Sequence, residues 1–167
     1  MQETMDFAVT AALQSRAFTA LTQRFTCSGT EEKVWLWCRN NYQKTSVLVA
    51  NFVVSLGATT GTGPCDLVVY DASSESAPTG FEVPIKNRLM GDTRKPFIEA
   101  RGAHVSFSMS IAPSQIQSAR AFTCGGGENV PSTIVMAPQS SIAISLKPPT
   151  GNSDMWARLG LILVVIE

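Results

Sequence analysis

Val105-Ser106-Phe107-Ser108-Met109-Ser110-Ile111 alternates apolar residue and serine without a break. Successive side chains of a strand point to opposite faces, so this spacing predicts a strand lying half-buried over a core, serines outward. Working outward from it, Val47-Leu48-Val49-Ala50-Asn51-Phe52-Val53-Val54 is dense in β-branched residues and reads as a strand covered on both faces. Trp156-Ala157-Arg158-Leu159-Gly160-Leu161-Ile162-Leu163-Val164-Val165-Ile166 is likewise rich in residues that favour strands. Burying six of its side chains contributes on the order of 10 kcal/mol in gross transfer terms.

Shorter strands are expected at Val34-Trp35-Leu36-Trp37-Cys38, Asp66-Leu67-Val68-Val69-Tyr70, Phe97-Ile98-Glu99-Ala100, Thr133-Ile134-Val135-Met136 and Ile142-Ala143-Ile144-Ser145-Leu146. Phe81-Glu82-Val83-Pro84-Ile85 also alternates, and Pro84, which cannot donate to a ladder, places it at a sheet edge. Ala58-Thr59-Thr60-Gly61-Thr62-Gly63-Pro64 and the serine-rich residues 72–80 are loops. A helical signature occurs only at the start, where Thr4 is placed to cap a helix with Met5, Val9, Leu13, Ala17 and Leu21 four apart. The same segment also reads at period two through Phe7, Val9, Ala11 and Leu13, or as an arm.

Eight to ten strands with turns between them predict an all-β protein, a two-sheet antiparallel sandwich of jelly-roll-like type. One domain is expected over residues 1–167, with 1–20 as an N-terminal arm or short helix and 30–167 as the sandwich core. Charged residues form 16% of the chain, well under the usual quarter. Thirteen basic residues balance thirteen acidic ones, which argues against an electrostatic nucleic-acid binder. The longest apolar run, residues 159–166, is far short of the ~20 residues a membrane helix needs. Met1-Gln2-Glu3-Thr4-Met5-Asp6 carries acid where a signal peptide carries base, so no leader and no membrane partner are expected.

Cys27, Cys38, Cys65 and Cys124 show no Cys-x-x-Cys spacing and read as unpaired thiols, one disulfide of unassigned pairing being the alternative, with no metal or cofactor implied. Cys124-Gly125-Gly126-Gly127 resembles the nucleophile loop of chymotrypsin-like viral cysteine proteases. Those enzymes draw a histidine base from far upstream, whereas His104, the sole histidine, lies only twenty residues before Cys124. Phe122 also stands where that family has glycine. The loop therefore reads as a turn, His104 as a residue near a strand start, and no catalytic residues are assigned. A nucleophile elbow, a phosphate loop and a dinucleotide fingerprint are likewise absent from the sequence.

Two surface candidates remain. Trp35 and Trp37, two apart on a strand, share a face in regular alternation, giving either a platform for sugar rings or a pair of core residues. Lys86, Arg88, Arg94 and Lys95 crowd one loop, with Arg101 nearby, as a candidate contact for an acidic partner surface. No aromatic residue is interleaved among those bases to stack nucleotides, which again argues against nucleic acid.

The strand pattern over residues 34–166, Ser/Thr-rich and without a catalytic constellation, resembles viral structural proteins of the single jelly-roll type. These include small coat proteins and the cement or decoration proteins of tailed phages. The resemblance implies a structural virion protein that self-associates as a trimer or dimer and packs against capsid protein subunits, assembling in the host cytoplasm. Small RNA-virus coats of this type carry a basic N-terminal arm, whereas residues 1–15 here contain no Lys or Arg. That difference favours a capsid cement or decoration role over a main coat protein. A glycan-binding attachment module is the reading from another class.

Overall fold

The computed structural model describes residues 2–107, 109 and 112–166, with the backbone alone for residues 2–6, 8 and 103–107. One helix, α1 (Gln2–Leu13), precedes the strands β1 (Ala17–Leu21), β2 (Phe25–Ser28), β3 (Lys33–Asn40), β4 (Ser46–Leu56) and β5 (Cys65–Asp71). They are followed by β6 (Ile85–Asn87), β7 (Ile98–Phe107), β8 (Ile116–Phe122), β9 (Gly127–Met136), β10 (Ser141–Lys147) and β11 (Asp154–Ile166). Every strand pair is antiparallel.

One sheet runs β6-β1-β11-β4-β9, with β2 also on β11; the other runs β7-β3-β10-β5-β8. Taking β1 and β2 as one interrupted strand and setting aside the edge strands β6 and β7, eight strands remain, and their pairing is nested. The first pairs with the last, β3 with β10, β4 with β9, and β5 with β8. A long hairpin rolled so that its pairs fall alternately into two sheets is a jelly roll. β6 and β7 come from an insertion between β5 and β8, and each widens one sheet at the same side of the sandwich.

The core lies between the sheets. Val49, Phe52, Val54, Leu159, Leu161 and Leu163 from one sheet meet Leu36, Cys38, Leu67, Val69, Ile142 and Ile144 from the other. The β-branched run at β4 does not keep one alternation throughout. A register shift between Val49 and Asn51 against β9 changes which residues face inward, so Val47 and Val49 are core before it and Phe52 and Val54 after it.

Two buried asparagines hold the ends of the sandwich. At one end the Asn40 amide donates to the carbonyls of Thr45, Met136 and Ala137 at 2.8–3.2 Å, and its Oδ1 accepts from Tyr42 N–H. At the other end the Asn152 amide donates to the carbonyls of Cys27 and Gly29 at 3.0 and 2.7 Å, and its Oδ1 accepts from the Thr59 hydroxyl at 2.6 Å. Each thereby ties together loops far apart in sequence.

Several expectations change. The helix begins at Gln2, so Thr4 lies inside it, and it stops at Leu13; Ala17 and Leu21, expected on the helical row, belong to β1. The sandwich therefore begins at Ala17, not at residue 30. β7 runs without a break from the strand expected at Phe97–Ala100 into the one expected at Val105–Ile111, as far as Phe107, and β6 begins just after Pro84 at the sheet edge. In the Val105–Ile111 alternation, Ser108, Ser110 and Ile111 and the side chains of Val105, Ser106 and Phe107 lie outside the described residues.

Candidate functional site

The glycine-rich loop after β8 begins where that strand leaves β5, with Cys65 opposite Phe122 in the register. Cys124 packs half-buried against the core, and its sulfur accepts a hydrogen bond from the Cys65 backbone N–H. Burial pushes the Cys124 thiol up, and Cys27, Cys38 and Cys65 are pushed up to about 12, chiefly by burial. A nucleophilic cysteine needs the opposite shift. The His104 side chain lies outside the described residues. Among the described residues no group of three or more His, Cys, Asp or Glu is arranged to hold a metal ion, and no helix is long and apolar enough to cross a membrane. At neutral pH Cys124 is accordingly expected to alkylate more slowly than a small free thiol, and Cys124→Ala to leave association intact. Stoichiometric labelling within seconds would contradict this reading.

The tryptophan pair is split. Against β10 the register steps from Ile144–Leu36 to Ser145–Val34, leaving Trp35 as the extra residue of a bulge. Such a bulge reverses the alternation on either side of it. Trp35 therefore points into the core, its ring stacked on Phe25 with centroids 4.2 Å apart, whereas Trp37 sits on the outer face with Val34, Tyr70 and Ala143. Relative exposures of 4% and 0% leave neither indole open to a sugar, so the platform reading is corrected to two core residues.

The basic residues divide. Arg94 pairs with Asp92 at 2.5 Å and donates to the Ser15 hydroxyl, holding the Asp92 carboxyl well below the usual carboxylate range. Arg101 pairs with Glu99 at 2.6 Å, and Arg88 donates to Thr19 Oγ1 at 2.9 Å. Lys86 and Lys95 are exposed and, among the described residues, lie within 4 Å of no carboxylate. These two flank a cleft of about 440 Å³ between β6 and the start of β7, lined also by Glu82, Pro84, Ile85, Pro96 and Ile98.

One surface was not singled out in the sequence. Helix α1 lies on the outer face of the β1/β11/β4 sheet through Ala11 and Ala12, against Ala17, Ala50, Ile162 and Val164. Among its described side chains the larger apolar ones are not in that contact: Val9 is 58% exposed, Leu13 70% and Phe7 39%. A helix with a free outer side ordinarily turns its bulky apolar stripe to the core and its polar residues to water. Here small residues face the sheet and bulky ones face out.

No family model matches the chain, and no curated protein matches it. Among solved structures, that of infectious bursal disease virus, Gx strain, aligns with 92% of this chain at 13% identity and a TM-score of 0.32. The alignment takes in 30% of that chain, so this protein spans less than a third of its length. A superposition this loose carries neither fold nor role across, and the fold stands on the strand order given above.

Proposed function

We propose that this protein is a structural virion component of capsid cement or decoration type, working by packing against copies of itself and against capsid subunits, with no chemistry of its own. The observation that carries the reading is α1, which presents Val9 and Leu13 outward from a jelly-roll body. Jelly rolls recur in capsid and lectin domains, and bulky apolar residues on an outer helix are the mark of a surface that a neighbour covers. A low charge density favours association over a solitary life in solution. The even charge balance supports a place on the shell rather than against the genome.

Sedimentation of the full chain at micromolar concentration, alone and with capsid shells, tests this. Assembly or shell binding is expected. Deleting residues 1–15 should weaken it at least ten-fold while leaving the β-type circular dichroism spectrum in place. A folded full-length protein that stays monomeric and binds no shell would overturn the proposal.

A further inference from the structure

We propose that the outward side of α1 docks on a second copy of this chain, at the cleft between β6 and β7, so that Val9 and Leu13 of one copy meet Ile85 and Pro96 of the next beside Lys86 and Lys95. This rests on the assembly reading above and names its partner and contact. Val9 and Leu13 are one helical turn apart, on the side of α1 away from Ala11 and Ala12, with Phe7 half-exposed at the flank. The surface that receives them must be partly apolar and, because the segment through residue 15 carries Glu3 and Asp6 and no base, positive.

The β6–β7 cleft meets both demands. Its walls come from Pro84, Ile85, Pro96 and Ile98, and its rim holds two ammonium groups against the single carboxylate of Glu82. At about 440 Å³ it admits side chains the size of leucine or phenylalanine. β6 is also a poor template for strand addition, being three residues long with a lysine at its centre, so what docks there docks through side chains.

The two patches are unlike but adjoin on one copy: α1 lies over the outer face of one sheet, and Ser15, two residues past Leu13, bonds Asp92 and Arg94 in the connection from β6 to β7. The helix-to-cleft contact can be made twice about a two-fold axis, or once with each neighbour around a closed ring. A helix of twelve residues spans ~18 Å. That is a modest contact, and ring closure multiplies its effect.

The pairing of unlike patches gives a sharp test by sedimentation of full-length variants. Leu13→Asp, and separately the pair Lys86→Glu with Lys95→Glu, should each weaken self-association at least ten-fold, and both alter exposed residues only. Mixed together, the two variants should form a 1:1 heterodimer, since one retains an intact cleft and the other an intact helix. If the wild type associates but the mixture stays monomeric, or if either variant associates like wild type, this contact is wrong while the assembly reading stands. A wild type that neither self-associates nor binds shells removes both.

Discussion

Replacing Trp35 or Trp37 with alanine is expected to lower the unfolding free energy by about 3–5 kcal/mol each, the range for emptying a buried aromatic site. Trp35 lies nearly parallel to Phe25, so its loss also removes a contact that joins the two sheets. Trp37 has no exposed surface and anchors the apolar cluster on the outer side of its sheet, against which Met109 packs. Folded domains are stable by about 5–15 kcal/mol, so either variant should lose a large share of the total. Trp35→Phe keeps a ring against Phe25 and should fall between the extremes. Urea titration at matched protein concentration measures these losses. A cost below about 1 kcal/mol, normal for an exposed side chain, would show that the indole is not a core residue.

The second large effect is expected at the two asparagines. Asn152→Ala strips the carbonyls of Cys27 and Gly29 and the Thr59 hydroxyl of their partner at once, and Asn40→Ala does the same to the carbonyls of Thr45 and Met136 and the Tyr42 N–H at the opposite end, where the Ala137 carbonyl keeps Ser140. Leaving buried polar groups unsatisfied costs about 1–3 kcal/mol per group where water cannot replace the bond, so about 3 kcal/mol is expected at each site. Asn40→Asp separates the chemistry from the shape. It keeps the volume but presents only acceptors to three carbonyl oxygens, so it should be worse than alanine at neutral pH. An aspartate variant more stable than the alanine one would mean that the amide's donors are not what holds those loops.

Fold class was readable because burial and strand period coincide over most of the chain. Val47, Val49, Leu159 and Leu161 announce covered strands whichever way the sheets are stacked. β8 gave no such signal: residues 116–121 are all exposed in the fold, so Ile-Gln-Ser-Ala-Arg-Ala shows no apolar period. β1 and β2 are short, and Ala17 and Leu21 fell on the preceding helical spacing. The bulge at Trp35 depends on a partner strand more than a hundred residues away, so local spacing could only put both indoles on one face. Pairing of Arg94 with Asp92 and Arg101 with Glu99 was open to reading, each acid standing two residues from its base. The outward row on α1 was not: Val9 and Leu13 were visible as apolar residues, but their direction depends on which helix side the sheet accepts.

The nested pairing also dictates a schedule. β11 lies in the middle of its sheet, held by β1 and β2 on one side and β4 on the other. Until residues 154–166 leave the ribosome, β1 and β4 have no strand to lie between them, and both must wait for β11. Pairings so distant in sequence place a fold among the slow ones, on the order of milliseconds to seconds. During that wait the apolar edges of β1 and β4 stay uncovered, so the nascent chain passes through an aggregation-prone state just before β11 emerges. A ribosome stalled short of residue 154 should therefore carry a chain sensitive to protease along its whole length.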